Sequence, residues 1–115
     1  ITDLLVYDRS SITDELLEER FRIATLPETM ANPPLRALMA HPKDHLWNQG
    51  LDKIESPTLI VWGAEDRVLP IDAGFILRKL IPNADMHIFS KCGHWAQWER
   101  ADEFNALVED FVNHN

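Results

Sequence analysis

Apolar and polar residues change rhythm near Pro57. Before it, apolar positions recur at helical spacing. In SITDELLEERFRIATL, Leu16, Leu17, Ile23 and Ala24 fall on one face of a helix. Thr13 precedes them as an N-cap, and Asp14 and Glu15 occupy the first turn, where the helix dipole favours carboxylates. Pro33 and Pro34 stop and restart the chain, predicting a short helix from about Leu35 to Ala40 that ends before Pro42. KDHLWNQGLDKI is mixed and turn-like around Gly50.

Past Pro57, TLIVWG is β-branched, aromatic and without polar alternation, as expected of a strand covered on both faces in a parallel sheet. AEDRVLP reads as a loop. Asp72 then caps a helix that carries Ala73, Ile76, Leu77 and Leu80 on one face. PNA turns the chain into a second strand, DMHIFS. A last helix, from about Ala101 to Asn113, is expected to bury Phe104, Leu107, Val108, Phe111 and Val112.

Residues 57–113 therefore read strand, loop, helix, strand, loop, helix, a βαβ crossover with a terminal helix in an α/β sheet. A two-stranded parallel sheet cannot cover its own faces and edges. Together with a start at Ile1, this predicts part of a larger domain, with residues 1–50 a helical portion and 51–115 the end of an α/β core.

Composition narrows the function. The chain of 115 residues has 11 Lys and Arg against 19 Asp and Glu, a net charge of −8, and no basic run. Nucleic acid and anionic membrane both need clustered cations, so neither is an expected partner. No apolar run approaches the roughly 20 residues that cross a bilayer, and no export signal is recognisable. A lone Cys92 suits a reducing compartment, and a cytoplasmic location is expected.

Ligands of open parallel sheets bind beyond the carboxyl ends of the strands. The first strand ends in Gly63 with Asp66 three residues on, and the second leads into SKCGH and His94. Adjacent strands would bring Asp66 within reach of His94, and a carboxylate on one imidazole nitrogen is what a general base needs. The order Asp then His, each after a parallel strand, fits the Ser-Asp-His order of α/β-hydrolases. The plainer alternative pairs Asp66 with Arg67 and leaves His94 filling a turn. Arg20 shares the apolar stripe of the first helix; read alone, it snorkels or pairs with Glu19. Cys92 and His94, at i and i+2, make a poor nucleophile–base pair. His41 and His45 have metal-ligand spacing, but Pro42 between them argues against one helical face. Trp62 and Trp98 read as packing residues, and neither His87 nor His114 suggests a role.

VWGAEDRVLP, HIFSKCGHWAQWERADEFNALVEDF and VYDRSSITDELLEERF together resemble the C-terminal part of the α/β-hydrolases that cleave ring-fission products of aromatic catabolism. These are 2-hydroxy-6-oxo-hexa-2,4-dienoate (meta-cleavage product) C–C bond hydrolases, including the biphenyl-pathway type. The resemblance implies that Asp66, rather than neighbouring Glu65, is the triad acid and His94 the base. It implies that Trp95 lies beside the substrate, that Val68 and Leu69 line the pocket, and that Arg20 binds the anionic dienoate end. Trp47 would form the pocket wall where lid meets core, or simply pack there. Residues 1–50 would be part of a helical lid, the substrate a small anionic dienoate, and the products a 2-hydroxypenta-2,4-dienoate and a carboxylic acid. No cofactor or metal is called for, and a homo-oligomer is compatible with it.

One element of the family pattern is missing. No GxSxG elbow occurs, since Ser10, Ser11, Ser56 and Ser90 all lack the flanking glycines. The nucleophile and oxyanion hole are expected from an N-terminal part of the same hydrolase, and this chain alone is expected to be inactive. An esterase, another lid-bearing hydrolase or a non-catalytic interaction fragment are the alternatives.

Overall fold

The computed structural model describes residues 2–33, 36 and 50–115. Its elements, in chain order, are α1 (Thr2–Leu5), α2 (Asp14–Ala24), α3 (Pro27–Ala31), β1 (Thr58–Gly63), α4 (Ile71–Leu80), β2 (Ala84–Phe89), α5 (Ala96–Glu99) and α6 (Ala101–His114). Short 3₁₀ turns lie at Arg9–Ser11 and Leu51–Lys53. Apart from Arg36, the helix expected at 35–40 lies outside the described residues, as do His41, His45 and Trp47.

The chain forms two compact units, one of Ile1–Ser11 with Leu46–Asn115, the other of Ile12–His45. Residues up to Ser11 associate with the unit that holds the α/β elements.

In the Ile12–His45 unit, Thr13 caps α2 as the sequence predicts, its hydroxyl accepting the Leu16 N–H at 3.2 Å. α3 was not foreseen. It begins at Pro27, whose fixed φ suits a first helical position and whose missing N–H costs nothing there. No residue of α2 is buried, and Leu17 and Phe21 are 40% and 71% exposed.

In the other unit, β1 and β2 pair in parallel from Thr58↔Ala84 to Gly63↔Phe89. Successive strand residues face opposite sides, so each face carries its own core. On one side Ile60, Ile81 and Ala84 are buried, with Trp62, Leu77 and Met86 packed against them. On the other, Phe89, Cys92 and Ala96 are buried against Val61, Phe104 and Leu107. α4 thus packs on one face and α6 on the other, the arrangement of an α/β sheet. Gly74 lets α4 lie close, since a Cβ there would come 2.6 Å from Met86 Cε and 2.9 Å from Trp62 Cε3.

Two details differ from expectation. Asp72 is not the cap of α4. Pro70 holds that position with no side-chain hydrogen bond, and Asp72 sits inside the first turn, where the dipole favours it. Val112 is 68% exposed, while Phe104, Leu107, Val108 and Phe111 are half-buried. The buried stripe of α6 is narrower than its apolar positions suggest.

The glycines give a stability test. A Cβ on Gly63 would fall on the backbone carbonyl oxygens of Gly93 and Cys92, whereas one on Gly74 meets the end of a flexible Met86 and the edge of an indole. Gly63→Ala is expected to cost about 3 kcal/mol or more and Gly74→Ala about 1–3 kcal/mol. Urea midpoints of the full-length protein measure both, and equal losses would contradict the close approach at Gly63.

Candidate active site

The parallel register makes the two strands end level, with Gly63 opposite Phe89. Pairing continues past the strands: Ala64 N–H donates to Phe89 O at 2.9 Å and Glu65 N–H to Cys92 O at 3.0 Å. The Glu65 carboxylate returns the contact, accepting the Cys92 N–H at 3.0 Å. This reciprocal pair fixes the two loops against each other. Lys91 makes the necessary bend at φ 53°, a left-handed conformation uncommon outside glycine. Gly63, lacking a side chain, leaves room for the Cys92–Gly93 backbone at the end of β1.

The result is a hydrogen bond of 2.9 Å between His94 Nδ1 and Asp66 Oδ2. The Asp66 side chain is 5% exposed and that of His94 31%. The other Asp66 oxygen accepts the N–H groups of Val68 at 2.7 Å and Leu69 at 3.0 Å, so the carboxylate is oriented from both ends. Burial works against its charge, but the hydrogen bonds from His94, Leu69 and Val68 outweigh it and hold the Asp66 carboxyl below its ordinary value. With Nδ1 engaged, Nε2 is the nitrogen left for other chemistry.

Asp66 and His94 line a cavity of about 170 Å³ with Leu69, Trp62, Gln97 and Phe104 among its other walls. Val68 and Trp95 are not among its described lining residues; Val68 contributes its N–H to Asp66, and the Trp95 N–H donates to Leu5 O at 2.9 Å. Glu65, the rival carboxylate, is occupied in joining the loops. Cys92 is fully buried, and burial together with the charge of Glu99 pushes its thiol up to about 11, which removes it as a nucleophile near neutral pH. Arg20 is exposed on α2 in the other unit. Glu19, the partner considered for it, takes a forked pair of 2.8 Å bonds from Arg22 and also feels the charge of Arg20.

Sequence reasoning missed Trp62 as a cavity wall and Glu99 altogether. Trp62 looked like strand filling, although as the penultimate residue of β1 it stands next to the strand end where a site forms. Glu99 accepts N–H groups from Tyr7, Asp8 and Gly93. Its only signal was a carboxylate five residues after His94.

The family model for the alpha/beta hydrolase fold matches residues 37–101, more than half of the chain. The chain belongs to the alpha/beta hydrolase fold family, and corresponds to the C-terminal portion of that fold. Among curated proteins it is similar to a 2-hydroxy-6-oxononadienedioate/2-hydroxy-6-oxononatrienedioate hydrolase of Cupriavidus pinatubonensis, 43% identical over 96% of this chain and 38% of that protein. A namesake from Pseudomonas putida is 42% identical over 97% of this chain and 40% of its own length. Among solved structures, a meta-cleavage product hydrolase (CumD) from Pseudomonas fluorescens IP01 aligns with a TM-score of 0.79 at 34% identity, covering 98% of this chain and 43% of that one. The 2-hydroxy-6-oxo-6-phenylhexa-2,4-dienoate hydrolase BphD of Rhodococcus sp. strain RHA1 aligns at 0.72 and 25% identity, covering 96% and 41%. The chain thus spans about two-fifths of the length of the relatives it matches. No helix among the described residues is long and apolar enough to cross a membrane.

The lowered Asp66 pKa has a pH consequence. A carboxyl held below its unfolded value of about 4 contributes stability that is complete above that pH and is lost as pH falls through the folded value. Asp66→Asn removes this contribution. Urea midpoints of full-length wild type and variant should differ at about pH 6 and converge as pH falls through the folded value of Asp66. Parallel curves would show that Asp66 is not stabilised as an anion.

Proposed function

We propose that Asp66 and His94 are the acid and base of a Ser-His-Asp triad, and that the protein containing this chain hydrolyses a carbon–carbon bond in 2-hydroxy-6-oxo-dienoate ring-fission products. The observation that carries this is the 2.9 Å contact of His94 Nδ1 with a carboxylate that is itself anchored by two backbone N–H groups. That arrangement fixes the imidazole tautomer and leaves Nε2 for proton transfer. The relatives at about 40% identity, named for nonadienedioate and nonatrienedioate substrates, support a substrate with a second carboxylate rather than a phenyl ketone.

In the reaction, the dienol is first converted to its keto form. The serine hydroxyl, or water activated by it, gives its proton to His94 Nε2 and forms a bond to the distal ketone carbon. The carbon–carbon bond beside that ketone then breaks, and its electron pair passes into the conjugated 2-oxo fragment as a dienolate. His94 returns a proton to that fragment, giving a 2-hydroxypenta-2,4-dienoate. With water as nucleophile the carboxylic acid is formed in the same step; with serine, a water that gives its proton to His94 Nε2 then attacks the acyl-serine, and His94 returns that proton to the serine oxygen as the carboxylic acid leaves. Asp66 stabilises the imidazolium formed between these steps. The nucleophile and oxyanion hole come from a part of the fold outside this chain. The helical portion expected within residues 1–50 acts as part of the lid, with the fork of Arg20 on the dienoate carboxylate. Trp95 lies beside the substrate and Val68 and Leu69 line its pocket, with Trp47, outside the described residues, as the candidate for its wall.

Kinetics of the full-length protein test the reading. His94→Ala and Asp66→Asn should each lower kcat by about 10³- to 10⁴-fold on a nonadienedioate substrate. Wild type should turn over that dioate faster than the 6-phenyl analogue, and both faster than a simple aryl ester. A His94→Ala enzyme with unchanged activity would end the catalytic assignment. An ester rate matching the dioate rate would favour an esterase.

A further inference from the structure

Glu99 takes no part in the chemistry above, yet three backbone N–H groups converge on its carboxylate. One oxygen accepts from Gly93 at 2.6 Å, and the other from Tyr7 at 2.7 Å and Asp8 at 3.1 Å. Gly93 directly precedes His94, while Tyr7 lies 92 positions from Glu99 in sequence. Hydrogen bonds to an ionised acceptor are about twice as strong as neutral ones, so a single carboxylate holds both segments firmly.

Three further contacts join the same segments. Trp95 N–H donates to Leu5 O at 2.9 Å, and the Trp98 indole N–H donates to Ser11 O at 2.9 Å. Gly93 lies so close to the other backbone that a Cβ on it would be 2.8 Å from Tyr7 N. Val6, between these points, is 2% exposed. Residues 5–11 therefore form a strap across the turn from Gly93 to Glu99. From Ser11 the chain passes directly into the Ile12–His45 unit.

We propose that Glu99 is a positioning residue. Its carboxylate fixes the Gly93–His94 peptide so that His94 Nδ1 stays on Asp66, and it fastens to that peptide the strap that leads into the helical unit. The geometry separates it from the other loop carboxylates. Glu65 joins the two strand-end loops to each other, and Asp66 orients the imidazole. Glu99 joins the histidine loop to a segment distant in sequence. Glutamine cannot substitute, because its amide nitrogen would face N–H donors on one side or the other.

The activity arm of the test rests on the hydrolase reading; the spectroscopic arms do not. In the full-length protein, Glu99→Gln should lower kcat roughly 10- to 100-fold, as expected when a reacting group is displaced by about an ångström, with KM changed only a few-fold. The low-field proton resonance of His94 Nδ1–H should shift or broaden. Amide exchange at Tyr7, Asp8 and Gly93 should rise together while β1 and β2 stay protected. A fall in melting temperature alone, with kcat and the low-field signal as in wild type, would make Glu99 merely structural and overturn the proposal. If the variant does not fold, exchange in the wild-type protein decides. A common opening rate for the Tyr7, Asp8 and Gly93 amides supports the tie, and independent exchange of Gly93 overturns it. A wild-type protein inactive on dienoates would reject the proposed reaction and leave the resonance and exchange results to judge Glu99.

Discussion

The site depends on a backbone contact more than on either of its side chains. The Cys92–Gly93 peptide lies against the end of β1 at Gly63, where any side chain would strike a carbonyl oxygen. The parallel register brings Gly63 level with Phe89, but register alone would let the two following loops diverge. The contact at Gly63, closed by the reciprocal bonds between Glu65 and Cys92, makes them converge. Asp66 and His94, 28 positions apart, then meet without either loop being long.

This constraint explains why the carboxylates around the site have separate tasks. A partly buried carboxylate is costly unless its oxygens are satisfied, and here they are satisfied largely by backbone N–H groups. Glu65 serves Cys92, Glu99 serves Gly93, Tyr7 and Asp8, and Asp66 serves Val68 and Leu69 while holding the imidazole. Each therefore shapes the chain as well as carrying charge.

Much of the α/β part was legible in the sequence. TLIVWG and DMHIFS became β1 and β2, and the periodic stretches between and after them became α4 and α6. Those segments have strong patterns whose burial requirement agrees with their local propensity. The reach of Asp66 to His94 could be read from strand order, since it depends on topology. Glu99 and Trp62 could not be read in the same way. Their partners are backbone groups or cavity space, and neither leaves a mark in side-chain periodicity. The strap at residues 5–11 was hidden for a related reason. Its contacts to Trp95, Trp98 and Glu99 span most of the chain, and nothing in VYDRSS announces them. That is also why residues 1–11 were grouped with the helical portion rather than with the α/β part.

Cys92 shows what kind of electrostatic environment these carboxylates create. Its thiol is raised to about 11 first by burial, then by the negative charge of Glu99, with Glu65 and Asp66 adding to it and Arg100 opposing. Burial penalises a new charge of either sign, whereas the three acids penalise only a new anion. In the proposed reaction the base becomes positively charged when it takes the serine proton, and it does so beside Asp66, within this same group of acids. The sulfur does not compete with the imidazole for the role of reactive group, because it is fully buried and its thiol is held protonated first by that burial and then by the acids around it.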